Sequence, residues 1–165
     1  MSGVRTYPKD QTRAKMLETL AENFGDGRKI HYLGLEGPHF CSYIQIADLL
    51  QKQLDPSKSL IAEQDQRSYN IMQSIAKHSD VIASDENFRN ADGKIFNGLN
   101  IRYGELAGVL ENARSEGFKF NFANLDYEGH VNASKIYALR QLFGNGMLQD
   151  DSILFITLND APRLR

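Results

Sequence analysis

Cysteine is nearly missing from this chain of 165 residues, where Cys41 stands alone. A single cysteine forms neither an intrachain disulfide nor a cysteine-cluster zinc site, and a reducing interior is then the simpler compartment. Long apolar runs are missing too. No stretch approaches the roughly 20 residues that span a bilayer, and the first residues, with Arg5, Lys9 and Asp10, lack the apolar core of a secretory signal. A cytoplasmic protein without membrane contact is therefore expected. An excess of one charge is also lacking: the formal net charge of -2 gives no general attraction to nucleic acid or to a membrane surface. There are no internal repeats and no low-complexity tracts. His78 and His130 complete no H-E-x-x-H or similar spacing, so no metal is expected.

What is present is an ordinary globular mixture, 41% hydrophobic and 24% charged. The length suits one domain with a real core and leaves little room for a second. Residues 1–165 are read as a single unit, with a helical extension over 1–28 and a core over 29–159. In the extension, Ala14, Leu17, Leu20, Ala21 and Phe24 form a helical stripe over Thr12 to Phe24. Ile30 to Leu35 reads as the first strand. Tyr43, Ile46, Ala47, Leu50 and Leu54 then recur at helical spacing until Asp55-Pro56 stops them. A second strand, Ser59 to Ala62, ends on Glu63, and Asp65 is placed to cap a helix carrying Tyr69, Met72, Ile75 and Ala76.

The middle reads as a short apolar piece at Val81-Ile82-Ala83, a polar loop from Ser84, and a third strand over Lys94 to Asn97. A helix with Leu106, Val109, Leu110 and Ala113 stops at Gly117, and Phe118 to Leu125 is a strand ending at Asp126. Its alternation with Lys119 and Asn121 predicts Phe118, Phe120 and Phe122 on one sheet face. A helix with Ile136, Leu139, Leu142 and Phe143 precedes a last strand, Ser152 to Leu158. This β-α alternation predicts an α/β fold: a doubly wound, mostly parallel sheet of about five strands with helices on both faces. Ligands in such sheets bind beyond the carboxyl ends of the strands. Glu36, Glu63, Asn97 and Asp126 all fall at predicted carboxyl ends.

The turn Gly34-Leu35-Glu36-Gly37-Pro38 follows the first strand, an acid (Glu63) ends the second, and Asp126-Tyr127 ends the fourth. In this order the chain resembles the class I S-adenosylmethionine-dependent methyltransferases, over about Lys29 to Asn159. It looks like their Rossmann-like core without its last two strands and with one glycine in the first loop. The resemblance implies S-adenosylmethionine as cofactor, held by Leu35, Glu36, Gly37, Pro38, Glu63, Gln64 and Asn97, with Glu63 on the ribose hydroxyls. A carboxylate suits a vicinal diol because it accepts two hydrogen bonds at once. It also implies Asp126 and Tyr127 as catalytic residues. The stretch Asn124 to Gly129 is similar in placement to the motif of amino-methylating members, which points to a nucleobase amine and hence to a nucleic-acid substrate.

Each of these residues has a plainer role open to it. Glu63 and Asp126 serve equally well as turn or cap residues, Cys41 as a small buried residue, and His31 as part of a strand, while His39 lies in the candidate loop. The alternative function is a non-catalytic Rossmann-like protein that binds a nucleotide-like ligand, or a partner chain through an open sheet edge. A core ending at its fifth strand leaves that edge free, and a homodimer or a partner chain is expected there. A nicotinamide-dependent dehydrogenase would use the same sheet, but the chain has no G-x-G-x-x-G fingerprint.

Overall fold

The computed structural model describes residues 7–78, 93–127 and 129–158. The piece read at Val81-Ile82-Ala83, the loop from Ser84 to residue 92, and Glu128 lie outside the described residues. Five parallel strands, β1 (Tyr32–Leu35), β2 (Leu60–Glu63), β3 (Asn100–Tyr103), β4 (Phe120–Tyr127) and β5 (Leu148–Leu158), form one sheet in the order β3-β2-β1-β4-β5. The described residues also form five α-helices: α1 (Tyr7–Phe24), α2 (Cys41–Leu50), α3 (Gln66–Lys77), α4 (Leu106–Ser115) and α5 (Ala133–Gly144). Residues of α1, α2 and α3 share one apolar core, and residues of α4 and α5 another, on opposite faces of the sheet. The chain therefore has the doubly wound, Rossmann-like α/β fold that its alternation of elements predicts. Strand order reverses between β1 and β4, which opens a crevice at their carboxyl ends. Among the described residues no helix is long and apolar enough to cross a membrane.

Local chemistry explains most of the elements. β1 and β2 are short apolar runs because helices cover both of their faces. In α2 the stripe Tyr43, Ile46, Ala47 and Leu50 is buried, and Leu54 beyond it pairs with Ile30 in an isolated parallel bridge. Asp65 caps α3 by accepting from the Ser68 N–H at 2.7 Å. In α1 the buried stripe is Met16, Leu20 and Phe24, while Ala14 and Ala21 are exposed. The larger side chains at i, i+4 and i+8 take the core side, because they bury more apolar surface than alanine does.

Two expectations about the sheet fail, and both bear on the site. Lys94 to Asn97 is not a strand. Gly93–Phe96 is a 3₁₀ turn that buries Ile95 and Phe96, with the Phe96 ring 5.1 Å from that of Phe40. The third strand starts only at Asn100 and has a single buried residue, Ile101, so its apolar signal is weaker than that of the turn before it. Asn97 thus precedes β3 instead of closing it.

Phe118, Phe120 and Phe122 also do not share a face. Phe118 and Phe120 stack at 5.9 Å in the core under α4 and α5, whereas Phe122 packs on Tyr32, 5.5 Å away, in the other core. The cause is a bulge: the N–H groups of Asn121 and Phe122 both donate to the His31 carbonyl, at 3.1 and 3.3 Å. Two residues of β4 thus oppose one residue, His31, just before β1, and the alternation changes sides. Asn121 holds this junction, since its side chain accepts from the His31 N–H and donates to the Lys29 carbonyl, both at 2.8 Å. Asn121→Ala leaves both backbone groups without these partners and is expected to cost about 2 kcal/mol. Chemical denaturation would measure it, and a cost near zero would show that the bulge holds without the side chain.

Candidate functional site

The bulge puts Phe122, Asn124 and Asp126 on the same side of the sheet as Tyr32, Gly34 and Glu36 of the neighbouring strand and its turn. Tyr32 is completely buried and lies across Gly34, so that its hydroxyl reaches Glu36 and donates a short hydrogen bond to Oε1. Gly34 is what makes this path. A Cβ there would stand 2.5 Å from Cε1 and 2.6 Å from the hydroxyl oxygen of Tyr32. Asn124 lies opposite Gly34 in the sheet register and moderates the rise that burial gives to the Tyr32 pKa. The second Glu36 oxygen accepts from the Ser42 N–H at 3.2 Å, in the first turn of α2.

Glu36 therefore ties β1 to the start of α2, where a carboxylate is also favoured by the helix dipole. Burial raises its pKa to about 7 against the hydrogen bonds from Tyr32 and Ser42 and the charge of Arg13, which lower it; Asp126 adds to the rise. The loop between them is closed by a turn with Pro38 at its second position, in which the Phe40 N–H donates to the Gly37 carbonyl at 3.0 Å. Phe40 adopts the left-handed conformation (φ 50) and buries its ring in the core. Proline, a strained phenylalanine and a buried carboxylate thus shape a loop that a richer set of glycines would shape elsewhere.

Around this loop opens a cavity of about 690 Å³ at the carboxyl ends of β1, β2 and β4. That lies within the roughly 300–1,000 Å³ usual for small-molecule sites. Leu35, Glu36, Gly37, Pro38, Glu63, Gln64, Asp126 and Tyr127 all line it, as do His39 and Cys41. Asn97 does not, because it sits at the amino end of β3. With β3 correctly placed, Gly104 and Glu105 follow its carboxyl end, and they are the residues that line the cavity on that side. The rule of acids at strand ends would have found Glu105 had the strand been legible. Cys41 is exposed at the cavity wall and not buried as expected.

Five lining carboxylates, Glu36, Glu63, Asp65, Glu105 and Asp126, face two lining cations, Arg13 and Lys135. Arg13, from the helix before the core, and Lys135, in the first turn of α5, carried no sequence signal. Glu63 Oε1 accepts from the Asp65 N–H at 2.7 Å and so shapes the turn into α3. Across the cavity, Ser134 donates to Glu105 at 2.9 Å, joining α5 to the start of α4. Lys135 Nζ donates to the carbonyls of His130 and Gly129, at 2.7 and 3.3 Å, and fixes the loop after β4. The Tyr127 hydroxyl is buried with no hydrogen-bond partner among the described residues, and burial pushes its pKa up to about 12. It is a protonated donor at the edge of the cavity, and a buried donor of this kind is costly to leave unpaired. Gly37 contributes in the opposite way, since a Cβ at its position would meet no atom within 4 Å. Its backbone is therefore open to close approach by a ligand.

Even with Glu36 partly protonated near neutral pH, the lining carboxylates outnumber the cations, which suits a cation or a neutral polar molecule better than a phosphate. Among the described residues, no group of three or more His, Cys, Asp and Glu is placed to hold a metal ion. Comparison of the chain with protein-family models and with curated proteins finds no match in either.

Proposed function

We propose that the protein binds S-adenosylmethionine in this cavity and methylates an amino group, with a nucleobase as the acceptor. The convergence of Glu36, Glu63 and Asp126, from the ends of three adjacent strands, on one acid-rich cavity at the reversal of strand order supports this reading most. The cavity fits the cofactor in charge and in space. A sulfonium with an ammonium group suits a wall where carboxylates are in excess, and the open backbone at Gly37 leaves room for it. The pyrophosphate of a nicotinamide dinucleotide would meet the same carboxylates at a cost.

Within this reading Glu63 receives the ribose hydroxyls, and Gly37 and Glu36 face the methionine end. When bound, the cofactor supplies a methyl group activated by its positive sulfur. Asp126 accepts the hydrogens of the acceptor amine and orients its lone pair, and Tyr127 offers its phenol as a donor to the acceptor ring. Neither group needs to be a strong base, since the amine loses its proton readily after transfer.

Calorimetric titration with S-adenosylmethionine, its demethylated product and NAD tests the proposal. The first two are expected to bind and NAD is not, and Glu63→Ala weakens binding about tenfold through the loss of a charge-assisted hydrogen-bond acceptor. Absence of binding by both adenosyl compounds would overturn it. Binding without methyl transfer to any nucleobase amine would overturn the assignment of the acceptor.

A further inference from the structure

We infer that the outer edge of β5 is the contact between two copies of this chain, joined antiparallel across a two-fold axis into one continuous sheet. β5 is the last strand in the sheet order, and no strand among the described residues pairs with its outer side. At 11 residues it is also the longest strand. Natural edges carry charges, proline or a bulge to prevent pairing. β5 has such devices only before Ile153, where Asp150 and Asp151 sit, Asp151 takes a positive φ (58) and the register with β4 shifts. Ser152 to Leu158 reads Ser-Ile-Leu-Phe-Ile-Thr-Leu, with no charge, proline or glycine, and pairs with β4 in unbroken register from Ile153 to Leu158.

Both faces beside this edge are apolar and incompletely covered. Ile153 and Phe155 pack partly against the core under α1, and Leu154 against the core under α5. Alternation puts Ile156 and Leu158, 39% and 50% exposed, on the α5 side. The Gln141 side chain of α5 reaches the Ala107 carbonyl of α4, so Ile136 and Phe143, roughly half a helical turn away, flank the opposite side beyond β5. They are 44% and 64% exposed. Arg140 between them is exposed and can carry its charge outward on its stem.

The charge pattern selects the occupant and its direction. The only charges on β5 are Asp150 and Asp151, at its start. A parallel second copy would stack these acids on each other. An antiparallel copy centred near Phe155 places the uncharged segment against itself and leaves each acid pair outside it, at opposite ends. A two-fold axis normal to the sheet keeps each face on its own side, so the ridge of Leu154, Ile156 and Leu158 continues across the junction between the two α5 flanks.

Sedimentation of the full chain at micromolar concentration is expected to show a species of twice 18.6 kDa. Ile156→Lys is expected to weaken association by at least about tenfold with the circular dichroism spectrum unchanged. If that variant does not fold, Phe143→Lys, a change at a more exposed site, should weaken association in the same direction. Hydrogen exchange of the amides from Ile153 to Thr157 should slow as concentration rises. A strict monomer would overturn the inference, as would a dimer whose β5 amides exchange at a rate independent of concentration. Neither readout depends on any ligand, so failure here leaves the methyltransferase proposal to its own test.

Discussion

Gly34→Ala is expected to lower stability by about 3 kcal/mol, which for a chain of this size is a fall of about 10 °C in Tm. The sign is the informative part. Glycine within a strand usually costs about 0.5–1 kcal/mol relative to alanine, so the ordinary expectation is a gain. Gly34 is not among the residues with positive φ, and its backbone makes no demand for glycine. The demand comes from Tyr32, whose ring passes where the new methyl group would be, at 2.5 Å from Cε1.

The ring has little freedom to move away. It is fully buried, 5.5 Å from Phe122 and 5.8 Å from Tyr43, and its hydroxyl is held by Glu36. Displacing it adds the strain of overpacking to the loss of a hydrogen bond on a buried carboxylate. Thermal unfolding followed by circular dichroism measures the effect. The cause is isolated on a Tyr32→Leu background, where alanine at position 34 should cost little because the ring is gone. An unchanged or higher Tm for Gly34→Ala in the parent chain would refute the steric account.

Glu36→Gln is expected to remove a pH dependence from folding stability. Burial raises the Glu36 pKa from the ordinary 4.5 to about 7 in the folded chain. Between these values the folded state holds a proton that the unfolded state has released. This group's contribution to stability is therefore full below pH 4.5, falls as pH rises towards 7, and is flat above. The rise corresponds to roughly 3 kcal/mol as an upper bound.

Glutamine keeps the shape and can still meet both Tyr32 and the Ser42 N–H, but it has no charge to desolvate. At pH 8 the variant should be the more stable chain, and the difference should vanish towards pH 4.5. Other carboxylates tilt the absolute curves the other way at low pH. Asp65 and Glu116 are held below their ordinary values by hydrogen bonds from Ser68 and from Arg102. The comparison is therefore made as the difference between variant and parent, by denaturant titration at several pH values. A difference that does not change between pH 4.5 and 8 would show that Glu36 is not the group responsible.

Much of the candidate site was legible because strand ends leave marks along the chain. An apolar run that stops at an acid and passes into a turn and a helix marks its own carboxyl end, as at Glu36, Glu63 and Asp126. Asn97 was misplaced by the same logic, since Ile95 and Phe96 resemble a strand by composition alone. Their burial against Phe40 and Tyr43 in a 3₁₀ turn is a contact across more than 50 residues, as in the Tyr43 hydroxyl donating to the Ile95 carbonyl. Arg13 and Lys135 reach the cavity from surface helices. Nothing in a helical stripe says which of its polar neighbours will overhang a distant crevice.

The sequence by itself determined the alternation of strands and helices, the parallel sheet covered on both faces, and the acids beyond three strand ends. These follow from local periodicity and capping, which act within a few residues, and from the handedness of crossovers, which acts between consecutive elements. The tertiary structure alone decided which side of the sheet Phe122 and Asp126 occupy, because one bulge held by Asn121 reverses the alternation of β4. It also decided why Gly34 must be glycine, because the atom that excludes a methyl group there belongs to the Tyr32 side chain folded back over its own strand. Side-chain paths and strand register depend on contacts between segments far apart in the chain, and no local pattern records them.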